Sequence, residues 1–213
     1  MTEYKESIDI NSYTKLLPDS YQEVSVLSFG KRGIVLKAKK NDLDVAIKLC
    51  RPESKARNAI LMEAKYLGEV NKLGVGPKII EFSEHFVVME YIEGLRIDEW
   101  LLNSTKEETL GMLSVLFHQL FSLDKAGINK SEMTNPYKHI IVKKDLIPVM
   151  IDFERARFNP KPQNITQFAQ YLTGGNILPI LQEKNILLDV DKFKNIIQSY
   201  SKNKEVIDII SYI

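Results

Sequence analysis

The sequence predicts an α+β fold in two lobes. Residues 1–93 form a five-stranded antiparallel sheet with one helix and an N-terminal extension over 1–20, and residues 94–213 form a small, mostly helical lobe. Three observations predict this. Short runs of β-branched and aliphatic residues, parted by turn-forming residues, fill the first half. One helical pattern interrupts them after the third run. From Thr105 onward, apolar residues mostly recur at helical spacing. A chain of 213 residues with 44% apolar and 27% charged residues can bury a sizeable core, which excludes intrinsic disorder as the ruling state.

In chain order, Ser12 to Leu17 fits one short helix that Pro18 stops. Val24 to Leu27, Ile34 to Ala38 and Val45 to Leu49 are three β-prone runs. Their connectors, Ser28 to Gly33 and Lys39 to Asp42, suit hairpins, so the runs form an antiparallel meander. A helix from about Glu53 to Leu73 follows, with Ile60, Ala64, Leu67 and Val70 at helical spacing and Gly74 as its stop. Lys78 to Phe82 and Phe86 to Ile92 complete the sheet around the turn Ser83-Glu84-His85, and Glu93-Gly94 ends it. Thr105 and Glu108 make a capping box, and Leu110, Leu113, Phe117, Leu120 and Phe121 mark the buried face of a helix running to about Lys125. Strands over His139 to Lys143 and Ile147 to Ile151 flank Lys144-Asp145. Helices are expected near Gln163–Leu172, Leu178–Lys184, Asp191–Tyr200 and Lys204–Tyr212.

Several function classes are disfavoured. Lysine plus arginine number 29 against 28 aspartate plus glutamate, so nucleic acid and acidic membranes are not expected partners. The single cysteine, Cys50, can make no intrachain disulfide and no cysteine metal site, which fits a reducing, cytoplasmic setting. The charges between Met1 and Ser20 interrupt any signal-peptide core, and no apolar run reaches the roughly 20 residues of a spanning helix.

The residues with chemistry to offer begin at Ser28-Phe29-Gly30-Lys31-Arg32-Gly33-Ile34-Val35. Glycines in a strand-to-strand turn let backbone amides approach phosphate oxygens, although the same residues also make an ordinary hairpin. Lys48 ends an apolar run, where an ammonium is costly to desolvate unless an anion meets it. Glu63, placed within the apolar stripe of the next helix, is such an anion; the plainer alternative is a solvated lysine and a solvated glutamate. Asp152-Phe153-Glu154 follows an apolar strand, and a carboxylate at a strand end suits Mg²⁺, a hard cation that prefers oxygen. Glu132 is an acidic loop residue in Gly127-Ile128-Asn129-Lys130-Ser131-Glu132 and would be able to accept a hydroxyl proton.

Taken in order, these pieces resemble a protein-kinase-like fold from about Val24 to Arg157. The resemblance is to small atypical kinases of the RIO and lipopolysaccharide-kinase type and to predicted archaeal serine/threonine protein kinases. Gly30, Gly33 and Val35 match the second glycine, third glycine and valine of G-x-G-x-x-G-x-V, with Ser28 at the first glycine. Val45-Ala46-Ile47-Lys48 matches V-A-I-K, which implies that Lys48, oriented by Glu63, meets the phosphates of ATP. Glu90 and Tyr91 fall where the kinase backbone binds adenine. Asp152 takes the magnesium-binding place of D-F-G, with Glu154 where the glycine would be. Glu132 falls at the catalytic aspartate of H-R-D-x-x-x-x-N and Lys130 at its histidine, while His139 or Asn135 would stand for the metal-binding asparagine. The interval from Glu132 to His139 is two residues longer than that motif allows, and glutamate carries an extra methylene. Only 61 residues follow Asp152 in the 213-residue chain, with no A-P-E segment.

The resemblance implies an ATP- and Mg²⁺-dependent phosphotransferase acting on Ser/Thr of a protein substrate or on itself. A pseudokinase that holds a nucleotide or a partner, and a kinase with a small-molecule acceptor, are the alternatives.

Overall fold

A computed structural model describes residues 13–30, 33–50 and 57–203. Lys31 and Arg32 of the glycine turn, the expected helix start at Glu53, the expected helix over Lys204 to Tyr212 and the first twelve residues lie outside the described residues. The chain is α+β. It divides into two compact units, Met1–Ala64 with Lys78–Tyr91, and Lys65–Pro77 with Ile92–Ile213. The division falls inside helix α1 (Arg57–Asn71).

In the first unit the described residues form a five-stranded antiparallel sheet of order β1-β2-β3-β5-β4, from β1 (Gln22–Phe29), β2 (Gly33–Lys40), β3 (Leu43–Cys50), β4 (Ile79–Phe82) and β5 (Phe86–Glu90). The β2–β3 turn is shorter than the sequence suggested. Lys40 pairs with Leu43, so only Asn41 and Asp42 turn the chain, at φ 49° and 61°. Both central residues at positive φ is the twist a two-residue hairpin needs, and asparagine and aspartate tolerate it best after glycine.

Strand alternation then sorts the side chains. Ile34, Leu36 and Ala38 of β2 and Val45, Ile47 and Leu49 of β3 face one side and are buried with Phe86 and Val88. Tyr13 and Tyr21 are buried in the same cluster, with Leu16, Leu17 and Val24 against it. The segment just before β1 thus covers this face, a role that could not be read from the sequence. Val35 and Lys48, directly paired across β2 and β3, point to the opposite side by the two-residue period. β1 covers the expected run Val24 to Leu27 and extends to Phe29, yet Val26, Leu27 and Phe29 are exposed. It is an edge strand whose pairing with β2 breaks register twice, between Gln22 and Ser25 and between Val26 and Ser28. Irregularities of this kind turn side chains out of the alternating pattern.

In the second unit, α2 (Ile97–Asn103) precedes α3 (Lys106–Lys125), whose start is fixed by the predicted capping box of Thr105 and Glu108. β6 (Gly94–Arg96), β8 (Ile140–Lys143) and β9 (Pro148–Met150) make a three-stranded sheet, and β7 (Ile128–Asn129) pairs with β10 (Arg157–Phe158). A 3-10 turn covers Pro136–Lys138. Helices α4 (Asn164–Leu172), α5 (Leu178–Glu183) and α6 (Val190–Asn203) follow. Leu116, Leu120, Phe168, Leu172, Leu181, Phe193 and Ile197 are among its buried apolar residues. α2 and the strands β6, β7 and β10 escaped the sequence reading because each is too short to display a period. Among the described residues no helix is long and apolar enough to cross a membrane.

Candidate functional site

The first group of predicted residues sits on the sheet of the first unit. Lys48 Nζ lies 2.8 Å from Glu63 Oε2, with the Lys48 side chain 19% exposed and that of Glu63 fully buried. β3 delivers the lysine from the middle of a strand paired on both sides, Val35 opposite on β2 and Val87 on β5. Glu63 comes from the apolar stripe of α1, beside buried Ile60, Ala64 and Leu67. An ion held by its partner at this depth has lost most of its water, so the pair is fixed in place more than it is stabilising.

The glycines have a plainer basis. A Cβ on Gly33 would run into the Leu49 carbonyl of β3, so strand packing by itself requires glycine there. Gly30 donates its N–H to the Gly33 carbonyl at 2.9 Å, which closes the turn; a Cβ on Gly30 would meet only an ordinary contact at 3.9 Å. Glu90 donates its amide to the Lys78 carbonyl (2.8 Å) and Tyr91 to that of Asp44 (3.3 Å), so both amides serve the sheet. The Tyr91 ring carries Lys37 Nζ 4.2 Å from its centroid.

The second group sits in the second unit. Arg155 Nη1 donates to Glu132 Oε1 at 2.7 Å, and His139 Nε2 lies 3.5 Å from Glu132 Oε2. The other ring nitrogen of His139, Nδ1, lies 3.8 Å from Asp152 Oδ2. One imidazole therefore stands between the two carboxylates to which sequence reasoning gave separate tasks. Asn135 is exposed and reaches Glu132 only through its backbone, its N–H donating to the Glu132 carbonyl at 3.1 Å.

Backbone strain gathers at the same residues. Ser131, Glu132 and Asp152 have φ of 68°, 60° and 63°. Left-handed conformations cost a non-glycine residue about 1 kcal/mol or more and persist where the surroundings impose them. Here the surroundings do so visibly. Lys130 is fully buried, its Nζ donating to the Asp152 carbonyl at 2.9 Å and lying 4.9 Å from the centre of the buried Phe153 ring. Its own N–H donates to Asn164 Oδ1 at 2.8 Å. Asn164 is held in turn: its N–H and Nδ2 donate to Asp124 Oδ1 at 3.0 and 2.7 Å, and Nδ2 also donates to the Ile128 carbonyl at 2.7 Å. The Tyr200 hydroxyl donates to Asp124 Oδ2 at 2.8 Å. Burial first, and then the Asp124 charge, pushes the Tyr200 hydroxyl well above the usual phenol range, so it stays a donor. Three helices thus clamp the backbone that carries Ser131 and Glu132.

Sequence reasoning left Lys130, Arg155 and Asn164 without a role. Lys130 had a readable signal, its place at the histidine of the kinase motif. Arg155 had the weaker one of alternating with Arg157 just after Asp152-Phe153-Glu154. Asn164, near the start of a predicted helix, carried no signal of its own and is a buried brace.

The donor chemistry suits a hard cation at Asp152, which offers carboxylate oxygens; the imidazole of His139 is a softer ligand than Mg²⁺ favours. The fold and these positions together define an α+β protein whose five-stranded antiparallel sheet is compatible with the N-terminal lobe of a protein kinase. Models of known protein families give no match to the chain, and no curated protein matches it.

Proposed function

We propose that the chain is an ATP- and Mg²⁺-dependent phosphotransferase of the atypical serine/threonine kinase kind, acting on protein hydroxyls. The observation that carries the reading is the Lys48–Glu63 pair, a lysine from the third strand fixed at 2.8 Å by a fully buried glutamate from the following helix. An ion pair this dry is a poor way to gain stability and a good way to hold an ammonium in one direction.

In this reading Lys48 binds nucleotide phosphates and Glu63 orients it. Asp152, supported through its carbonyl by Lys130, is the metal ligand, and His139 orients it from the side. Bound Mg²⁺ would supply charge neutralisation on the phosphates. Glu132 takes the proton of the acceptor hydroxyl as that oxygen bonds to the γ-phosphorus and ADP leaves. Arg155 and His139 hold the Glu132 carboxylate in place for that task.

One observation favours a second reading, a nucleotide-holding module with little catalysis. The Arg155 guanidinium already occupies Glu132 Oε1 at 2.7 Å, so that oxygen is not open to an acceptor hydroxyl. Glu132→Gln separates the two. For an enzyme, transfer of labelled γ-phosphate to protein falls at least about a hundredfold while ATP–Mg²⁺ affinity stays within about twofold. Measurable ATP binding with no transfer by wild type would favour the holding module.

A further inference from the structure

Arg155 and Arg157 alternate with Ala156, which is buried, so both guanidiniums leave the chain on its exposed side. β10 fixes that direction by pairing Arg157 with Asn129 and Phe158 with Ile128. The two side chains converge on one loop. Arg155 Nη1 donates to Glu132 Oε1 at 2.7 Å, and Arg157 Nη1 stands 3.5 Å from Ser131 Oγ. The charges do not balance. Glu132 answers Arg155, whereas Arg157 has no carboxylate partner among the described residues. An exposed guanidinium beside a hydroxyl at 3.5 Å gains little from that contact and keeps its fork of donors for a stronger acceptor.

We propose that Arg157, with Arg155 beside it, reads an anionic side chain on the phosphate-accepting protein: an acidic or already phosphorylated residue close in sequence to the accepting serine or threonine. The inference rests on the reading of Glu132 as the group that faces the acceptor hydroxyl. An anion on the acceptor then finds the unanswered guanidinium one residue away from Glu132, at Ser131. A planar fork suits the paired oxygens of carboxylate and phosphate, and phosphate offers the larger charge.

The test uses the full chain, labelled ATP with Mg²⁺, and serine/threonine peptide libraries in which each flanking position is fixed in turn as aspartate, phosphoserine, alanine or lysine. The expected result is one flanking position where aspartate or phosphoserine raises phosphate incorporation about tenfold over lysine. Arg157→Glu reverses that preference towards lysine, and Arg157→Lys lowers both the phosphoserine and the aspartate preference without reversing either, because the charge remains and the fork is lost. Arg157 is exposed, so these variants are expected to melt within about 2 °C of wild type. Phosphorylation of peptides without regard to flanking charge overturns this inference and leaves the phosphotransferase reading standing. So does an acidic preference that survives Arg157→Glu. Transfer to small hydroxyl compounds alone also overturns it. Transfer to no acceptor of any kind overturns the phosphotransferase reading, and this inference with it.

Discussion

Replacing Lys48 by methionine keeps an unbranched apolar stem on β3 and removes the ammonium that lies 2.8 Å from Glu63. The glutamate carboxylate is fully buried, so it loses its charge partner in a place where water cannot easily take over. Breaking a buried pair from one side costs about 3–5 kcal/mol. The lysine side chain is 19% exposed, so some water reaches the pair and the lower end of that range, about 3 kcal/mol, applies. In a protein of this length that corresponds to a melting temperature lower by about 6–12 °C. Glu63→Leu costs less, about 1–2 kcal/mol, because a lysine stem can swing its ammonium towards water. The double variant, with two apolar side chains in place of two charges, returns to within about 1 kcal/mol of wild type. Thermal and urea unfolding of all four proteins closes a double-mutant cycle with a coupling of about 2 kcal/mol or more. If the single costs simply add in the double variant to within about 0.5 kcal/mol, the pair is not a buried, coupled one and the reasoning fails.

Three further outcomes are expected. Gly33→Ala forces the β2–β3 pairing apart at the Leu49 carbonyl and destabilises by about 1–3 kcal/mol, whereas Gly30→Ala stays within about 1 kcal/mol; chemical denaturation distinguishes them. Asn164→Ala leaves the Lys130 amide and the Asp124 carboxylate short of partners and costs about 2–3 kcal/mol, with faster hydrogen exchange at Lys130 as the local readout. The Lys40 hydrogen bond first, and then that of Tyr21, holds the Glu81 carboxyl below its ordinary value of 4.5. A carboxylate depressed on folding adds stability above its unfolded pKa and loses it as pH falls through the folded one. The melting-temperature gap between wild type and Glu81→Gln should therefore be open at pH 6 and close as pH falls below about 4.5.

What could be read in advance depended on whether a residue's role is local. The alternation of Ile34, Leu36 and Ala38 against Val45, Ile47 and Leu49 is a property of consecutive residues, and the runs that carry it placed the central strands. The Thr105 capping box and the Gly74 stop, at φ 70°, are likewise written within a few positions. The run Val24 to Leu27 was legible as a strand, but its exposure was not: Val26, Leu27 and Phe29 look like core until the order of the described strands puts β1 outermost. The site divides in the same way. Lys48 and Glu63 were legible because a charge inside an apolar stripe needs an explanation. The brace from Tyr200 through Asp124 and Asn164 to Lys130 joins residues far apart in the chain, and nothing near any one of them announces the others. His139 is instructive in a different way. Sequence spacing placed it near a metal ligand's position, and the fold sets its two ring nitrogens 3.5 Å from Glu132 and 3.8 Å from Asp152.

The most direct test of the central claim is transfer of γ-labelled phosphate from ATP by the full chain, comparing wild type with Lys48→Ala and Asp152→Ala. The account predicts Mg²⁺-dependent labelling of protein by wild type and a loss of at least about a hundredfold in each variant. Wild-type turnover retained in both variants would contradict the assignment of Lys48 and Asp152, and with it the phosphotransferase reading.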